Sequence, residues 1–274
     1  MLRGWLFGVA VLLGVVFSFA GNAHSSLARD ERWEEARKSL AEGKAVDAKV
    51  MLDALIATYP EEADPYFVLG LAELRLRQPR EAERAIRKAL VLDPSHAQAR
   101  TLLGWIELEI LGNFEAAIKE YSAVITLRPD APDAHVNLGA AYKKKGDLEK
   151  ALASYDRALE LRPGHVAALT NRGWVFADQE RWEKARSDFE LVLSTNPEDQ
   201  AALQGLARVL EKRRDYAGAQ QALGKLIGGS SSFVYWLEWG RVGLIRYYWV
   251  LLLVAIALFF RARLKKARME SHGG

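Results

Sequence analysis

The sequence predicts an all-α protein: a solenoid of helix-turn-helix units, followed by a C-terminal transmembrane helix. Three observations carry this. Pro60, Pro94, Pro129, Pro163 and Pro197 stand at steps of 34, 35, 34 and 34 residues. An alanine lies twelve residues before each of them: Ala48, Ala82, Ala117, Ala151 and Ala185. Between these marks apolar residues recur at three- and four-residue steps, the helical period. A fixed period of this length means one supersecondary unit repeated, each burying its apolar face against the next.

The chain opens MLRGWLFGVAVLLGVVFSFAGNAHSS. Arg3 precedes an apolar run from Gly4 to Ala20, and Gly21-Asn22-Ala23 is small at the two positions a signal peptidase reads. Residues 1–23 are therefore expected to be a secretory signal cleaved after Ala23, or an uncleaved N-terminal anchor.

Repeats follow over 29–227. Four units are clear, at 63–96, 97–131, 132–165 and 166–199. They carry a glycine at one place (Gly70, Gly104, Gly139, Gly173). Large residues stand between the alanine and the proline: Leu52, Ile86, Tyr121, Tyr155 and Phe189. Small residues let two helices cross closely. A proline cannot continue the helix before it, so it marks the step to the next unit. The turn inside a unit is exemplified by Lys144 to Asp147 (KKGD). Two units are degenerate. Unit 29–62 has Ala36 in place of the glycine; 200–227 has Ala207 and Ala219 and lacks the closing proline. Unit 97–131 holds one extra residue between Gly104 and Ala117, which the sequence places in the turn LGNFE.

In these positions 29–227 resembles the tetratricopeptide repeat family. The resemblance implies a right-handed superhelix with a concave groove lined by the first helix of each unit, binding extended or helical peptides. It also implies that the second, fifth, ninth, twelfth and thirteenth places face the groove. The candidates are Phe67 and Leu71, Thr101 and Trp105, Val136 with Lys143 and Lys144, and Thr170 and Trp174 with Asp178. An exposed tryptophan is a good anchor because it buries much area at little entropy cost. The alternative is that Trp105 and Trp174 pack against a neighbouring unit. One subfamily clamps a chaperone's terminal carboxylate with a lysine and an asparagine at the fifth and ninth places. That pair is missing from every unit.

Beyond the repeats, 228–241 joins a Gly/Ser stretch to an aromatic segment with Phe233, Tyr235, Trp236 and Trp239. Two readings stand: a helix lying in a membrane interface, or a cap over the last repeat. Residues 242–260 are expected to form the transmembrane helix, with Tyr247, Tyr248 and Trp249 at headgroup level. A buried core helix is the alternative, since the strictly apolar core from Tyr247 to Phe260 is short. Arg261, Arg263, Lys265, Lys266 and Arg268 open a basic tail, 261–274. Positive charge stays cytoplasmic, so the repeats are expected on the other side, the periplasm if the cell is Gram-negative. The membrane-interface set is thus Trp236, Trp239, Tyr247, Tyr248, Trp249, Arg261, Arg263, Lys265 and Lys266.

The net charge of +3 sits at the ends. Residues 241–274 carry net +6, and 4–240 carry net −4. This gives the repeats no basic footprint for nucleic acid. There is no cysteine, which excludes disulfides, thiol catalysis and cysteine-ligated metal. His24, His96, His135, His165 and His272 form no HxxxH or HExxH pair. Neither cofactor, metal nor catalytic constellation is expected. The sequence points instead to an exported, membrane-tethered scaffold binding protein or peptide partners and touching the lipid bilayer. The other readings are a non-catalytic accessory of an envelope enzyme, and a product whose C-terminal helix and basic cluster are a sorting signal that is cut off.

Overall fold

A computed structural model of the chain describes residues 31–229 and 233–271, and all regular structure in them is helical. The N-terminal segment 1–23 lies outside the described residues. Helices α1 (31–41), α2 (Ala45–Thr58), α3 (Ala63–Arg75), α4 (Pro79–Leu92), α5 (Ala97–Trp105) and α6 (Phe114–Leu127) form one compact unit. Helices α7 (Pro132–Lys145), α8 (Leu148–Leu161), α9 (Val166–Asp178), α10 (Trp182–Thr195), α11 (Gln200–Lys212), α12 (Tyr216–Gly229) and α13 (Phe233–Ser271) form a second, with the boundary at Pro129. Within each unit consecutive helices pair as hairpins.

Each periodic proline stands two residues past a helix end. The residue before it has left the helical region every time: Tyr59, Asp93, Arg128, Arg162 and Asn196 have φ of −129, −129, −140, −144 and −132°. The pyrrolidine ring forbids the helical conformation to its predecessor, so the second helix stops at the same place in every repeat.

The turn within each hairpin has its own period. Among the described residues six adopt left-handed backbone: Gly43, Arg77, Gly112, Gly146, Glu180 and Arg214, at steps of 34, 35, 34, 34 and 34. After Gly146 the Asp147 amide donates to the Tyr142 carbonyl at 2.9 Å, closing the end of α7. The same reach recurs from Gln78 to Glu73, Arg181 to Phe176 and Asp215 to Leu210, at 2.9, 2.8 and 2.8 Å. In the 97–131 repeat the bond spans one residue more, from the Asn113 amide to the Glu107 carbonyl at 2.8 Å. The extra residue therefore lies within the first helix, as a π-helical turn over Ile106–Leu111. This corrects its placement in the turn LGNFE: adding a residue to the helix keeps the left-handed closure intact.

The hairpins close through a notch. A Cβ at Gly139 would stand 2.5 Å from Tyr155 Cε1, and one at Gly104 2.7 Å from Tyr121 Cε1. At Gly70 the neighbour is Ile86 Cδ1 at 2.4 Å, and at Gly173 it is Phe189 Cε1 at 2.8 Å. Phe189 also presses on Gly205 of the next hairpin, where a Cβ would meet Cζ at 2.3 Å. Tyr155 and Phe189 are fully buried. Where alanine replaces the glycine, the filler is leucine: Ala36 with Leu52, and Ala207 with Leu223, share core clusters.

α13 joins what the sequence separates. One helix runs from the aromatic segment through the apolar stretch into the basic tail, bent by 58° between Val234–Tyr248 and Val250–Phe259. Arg263, Lys265 and Lys266 lie on it. Its first arm caps the last repeat. Val242 is fully buried with Leu203, Leu210, Leu223 and Leu226, and Tyr235 packs against them. Arg241 donates to both carboxylate oxygens of Glu211 at 2.7 and 2.7 Å, and Arg246 to Gln220 at 3.2 Å. Val242, placed by the sequence at the start of a membrane span, is therefore a core residue of the repeat body. Among the described residues no single helix is long and apolar enough to cross a membrane; the two arms of α13 pass that test only together, by length and composition.

Gly139→Leu should destabilise the full chain by about 2–3 kcal/mol through overpacking against Tyr155, read by urea denaturation; an unchanged midpoint would show the notch to be empty. Glu180→Gly should act the other way and stabilise by about 0.5–1 kcal/mol, because a left-handed backbone strains any side chain with a Cβ. A loss of stability would mean that the turn does not adopt that conformation in solution.

Candidate peptide-binding surface

The first helices of four hairpins, α3 and α5 in one unit and α7 and α9 in the other, carry the candidate groove residues. In the first unit Phe67 is half-buried, packed in two core clusters with its ring 4.8 Å from that of His96. Leu71 packs against the α1–α2 cluster. Thr101 turns its hydroxyl back to the Ala97 carbonyl at 2.9 Å. Trp105 differs: it is 44% exposed and ends α5 just before the π turn. The π turn is held by Glu107, which is buried and receives Arg87 at 2.5 Å and the Asn113 amide at 2.8 Å.

In the second unit Val136 and Thr170 are buried and offer a partner little surface. Trp174 is half-buried, its ring edge-on to Phe189 at 5.5 Å. The Arg208 guanidinium stands 5.6 Å from the Trp174 ring centre and 3.6 Å from Asp178. Lys143, in the last turn of α7, is half-buried, whereas Lys144 is exposed. Burial pushes the Lys143 ammonium below its ordinary pKa, Arg208 adds to that, and Asp178 opposes it. The Lys143 ammonium makes no hydrogen bond and no ion pair among the described residues. The two tryptophans thus divide between the readings open in the sequence: Trp105 presents its ring to solvent, and Trp174 packs on its own hairpin under an arginine. Arg208 was missed. It holds the ninth place of the degenerate last unit, the place Trp174 holds in the unit before, so extending the register by one repeat finds it.

Two of the histidines, His96 and His165, are structural. His96 and His165 cap α5 and α9, with Nδ1 accepting the Ala99 and Ala168 amides at 3.2 and 3.4 Å. Nε2 faces Asp64 at 3.2 Å and Asp133 at 2.9 Å, which ties the two ends of each repeat together. No group of three metal-ligating side chains occurs among the described residues.

Family profiles described as tetratricopeptide repeat match residues 67–110, 132–165 and 176–228, and one described as TPR repeat matches 110–146. The chain belongs to the tetratricopeptide repeat family. Solved structures agree in fold. Pseudomonas aeruginosa PilF is 20% identical, with 78% of this chain and 97% of that one aligned at a TM-score of 0.66. A tetratricopeptide repeat protein from Parabacteroides merdae is 20% identical over 80% and 87% at 0.68. PilW, described as a type IV pilus biogenesis factor, is 16% identical over 73% and 92% at 0.66. No curated protein matches the sequence.

The tetratricopeptide frame separates the two tryptophans energetically. Trp105→Ala should change stability by less than about 0.5 kcal/mol, as exposed substitutions do. Trp174→Ala should cost about 2 kcal/mol, through lost packing on Phe189. Equal costs in urea denaturation would contradict these placements.

Proposed function

We propose that the protein is a non-catalytic scaffold, exported and tethered to a membrane by its C-terminal segment, which holds partner proteins through the first-helix faces of its repeats. The observation that carries the binding part is the exposed ring of Trp105 on α5. In the second unit, the unpaired Lys143 beside Arg208 supports selection of acidic flanks in a partner segment. Export and tethering rest on the signal-like N-terminus, the apolar run from Tyr247 and the basic cluster after Phe260. An envelope-assembly role follows from that location; PilW and PilF supply the fold.

Two experiments test this. A reporter fused after Ile227 should be active outside the cytoplasm and one fused after Gly274 inside; cytoplasmic activity at Ile227 would overturn the export reading. Partners crosslinked to the full chain in membranes should be lost in the double variant Trp105→Ala, Lys143→Glu, with its helical circular dichroism and urea midpoint measured alongside to show that it is folded. Undiminished recovery would move binding off the first-helix faces.

A further inference from the structure

We infer that the first arm of α13 is an elbow wedged between the last repeat and the bilayer, with its outer face buried at headgroup depth. The inference rests on the tether reading above and adds to it how the repeat body meets the lipid.

The arm from Val234 to Tyr248 has two working faces. Tyr235 and Val242 pack into the last hairpin. By the helical period Leu237, Leu244 and Tyr248 lie on the opposite side, and they are 57%, 64% and 56% exposed. Trp236, 53% exposed, lies about 100° round from that side; Trp239, which it meets edge-on at 6.0 Å, leans toward α12, where a Cβ at Gly224 would stand 3.8 Å from its Nε1. Such an apolar and aromatic face, backed by protein, suits the interfacial layer of a membrane. Both arginines of the arm are engaged, Arg241 with Glu211 and Arg246 with Gln220. The centre of the face is thus apolar, and the half-exposed Arg241 at its edge carries a paired charge.

The occupant is lipid because of what the arm continues into. Past the bend, Leu251, Leu253, Val254, Ile256, Leu258 and Phe259 are all exposed, and they point in every direction around the helix. A protein partner covers one side of a helix; a bilayer covers all of them. Length then forces the arm down. With Val242 and Arg246 committed to the repeat body, the apolar run left for the membrane is Tyr247 to Phe260. At 1.5 Å per residue that is about 21 Å, short of a hydrocarbon core of about 30 Å. So short a run pulls its flanks to the membrane surface and leaves no slack for the body to stand off. The 58° bend does the rest. With the second arm upright, as so short a run requires, the bend carries the first arm to within about 30° of the membrane surface.

The absence of cysteine makes the test direct. Single cysteines replace Leu237, Leu244, Leu253 or the exposed Val50 in the full chain. Each is labelled with an environment-sensitive fluorophore and reconstituted in phosphatidylcholine vesicles. Iodide quenching from water is compared with quenching by lipids carrying shallow or deep nitroxides. The elbow requires labels at 237 and 244 to be several-fold less accessible to iodide than at 50 and quenched best by shallow nitroxides, with 253 quenched best by deep ones. If 253 is lipid-quenched while 237 and 244 are as open to iodide as 50, the body stands off on a tether; the elbow is then overturned and the tether survives. If 253 is also open to iodide, the tether reading falls and the elbow with it.

Discussion

Every hairpin in which glycine holds the crossing place closes because one large side chain of its second helix occupies the space where the first helix lacks a Cβ. Ile86 against Gly70, Tyr121 against Gly104, Tyr155 against Gly139 and Phe189 against Gly173 make the same contact. The fit is a matter of volume: where the first helix regains a methyl group, at Ala36 and Ala207, the second helix offers leucine. This contact also aims the surface. Trp105 and Trp174 each follow a notch glycine by one residue, about 100° further round the helix. The wedge that buries one side of the first helix thereby turns its neighbour toward the face a partner would use.

Charge is distributed on the same plan. Buried carboxylates in the interior are matched to a cation on an adjacent helix: Glu73 to Lys49, Glu107 to Arg87, and Asp188 to Arg172, whose guanidinium also reaches Asp156. Removing one member would strand a buried charge, typically costing about 3–5 kcal/mol. Lys143 is the contrast: a half-buried ammonium on a first-helix face that shares Asp178 only at a distance. Glu73–Lys49, Glu107–Arg87 and Arg172–Asp156 fix one hairpin on the next, and Arg172–Asp188 closes a hairpin on itself.

Much of the fold was legible in the sequence, because prolines, notch glycines and their fillers are residue types with a backbone or volume reason to recur. The left-handed turn residues were not, since Arg77, Glu180 and Arg214 carry no compositional mark of that conformation. The π turn was invisible for a related reason: an inserted residue shows its presence in the spacing but not which side of a turn absorbs it. The candidate surface was read less fully. Periodicity located Trp105 and Trp174 but could not tell an exposed ring from one leaning on Phe189, and it lost Arg208 where the repeat degenerates. For α13, hydrophobicity marked Val242 and Leu244 alike, although one enters the repeat core and the other faces outward. Apolar character alone does not say whether the cover is protein or lipid.

A double-mutant cycle tests the wedge most directly. Gly139→Ala with Tyr155→Leu rebuilds in the third clear repeat the pairing that Ala36 and Leu52 make in the first hairpin. The account predicts that the double variant is more stable than the sum of the two single effects by at least about 1 kcal/mol, because the smaller filler makes room for the added methyl. Additivity within about 0.3–0.5 kcal/mol would mean that the two positions do not meet, and that the repeats are held in register by something other than the notch.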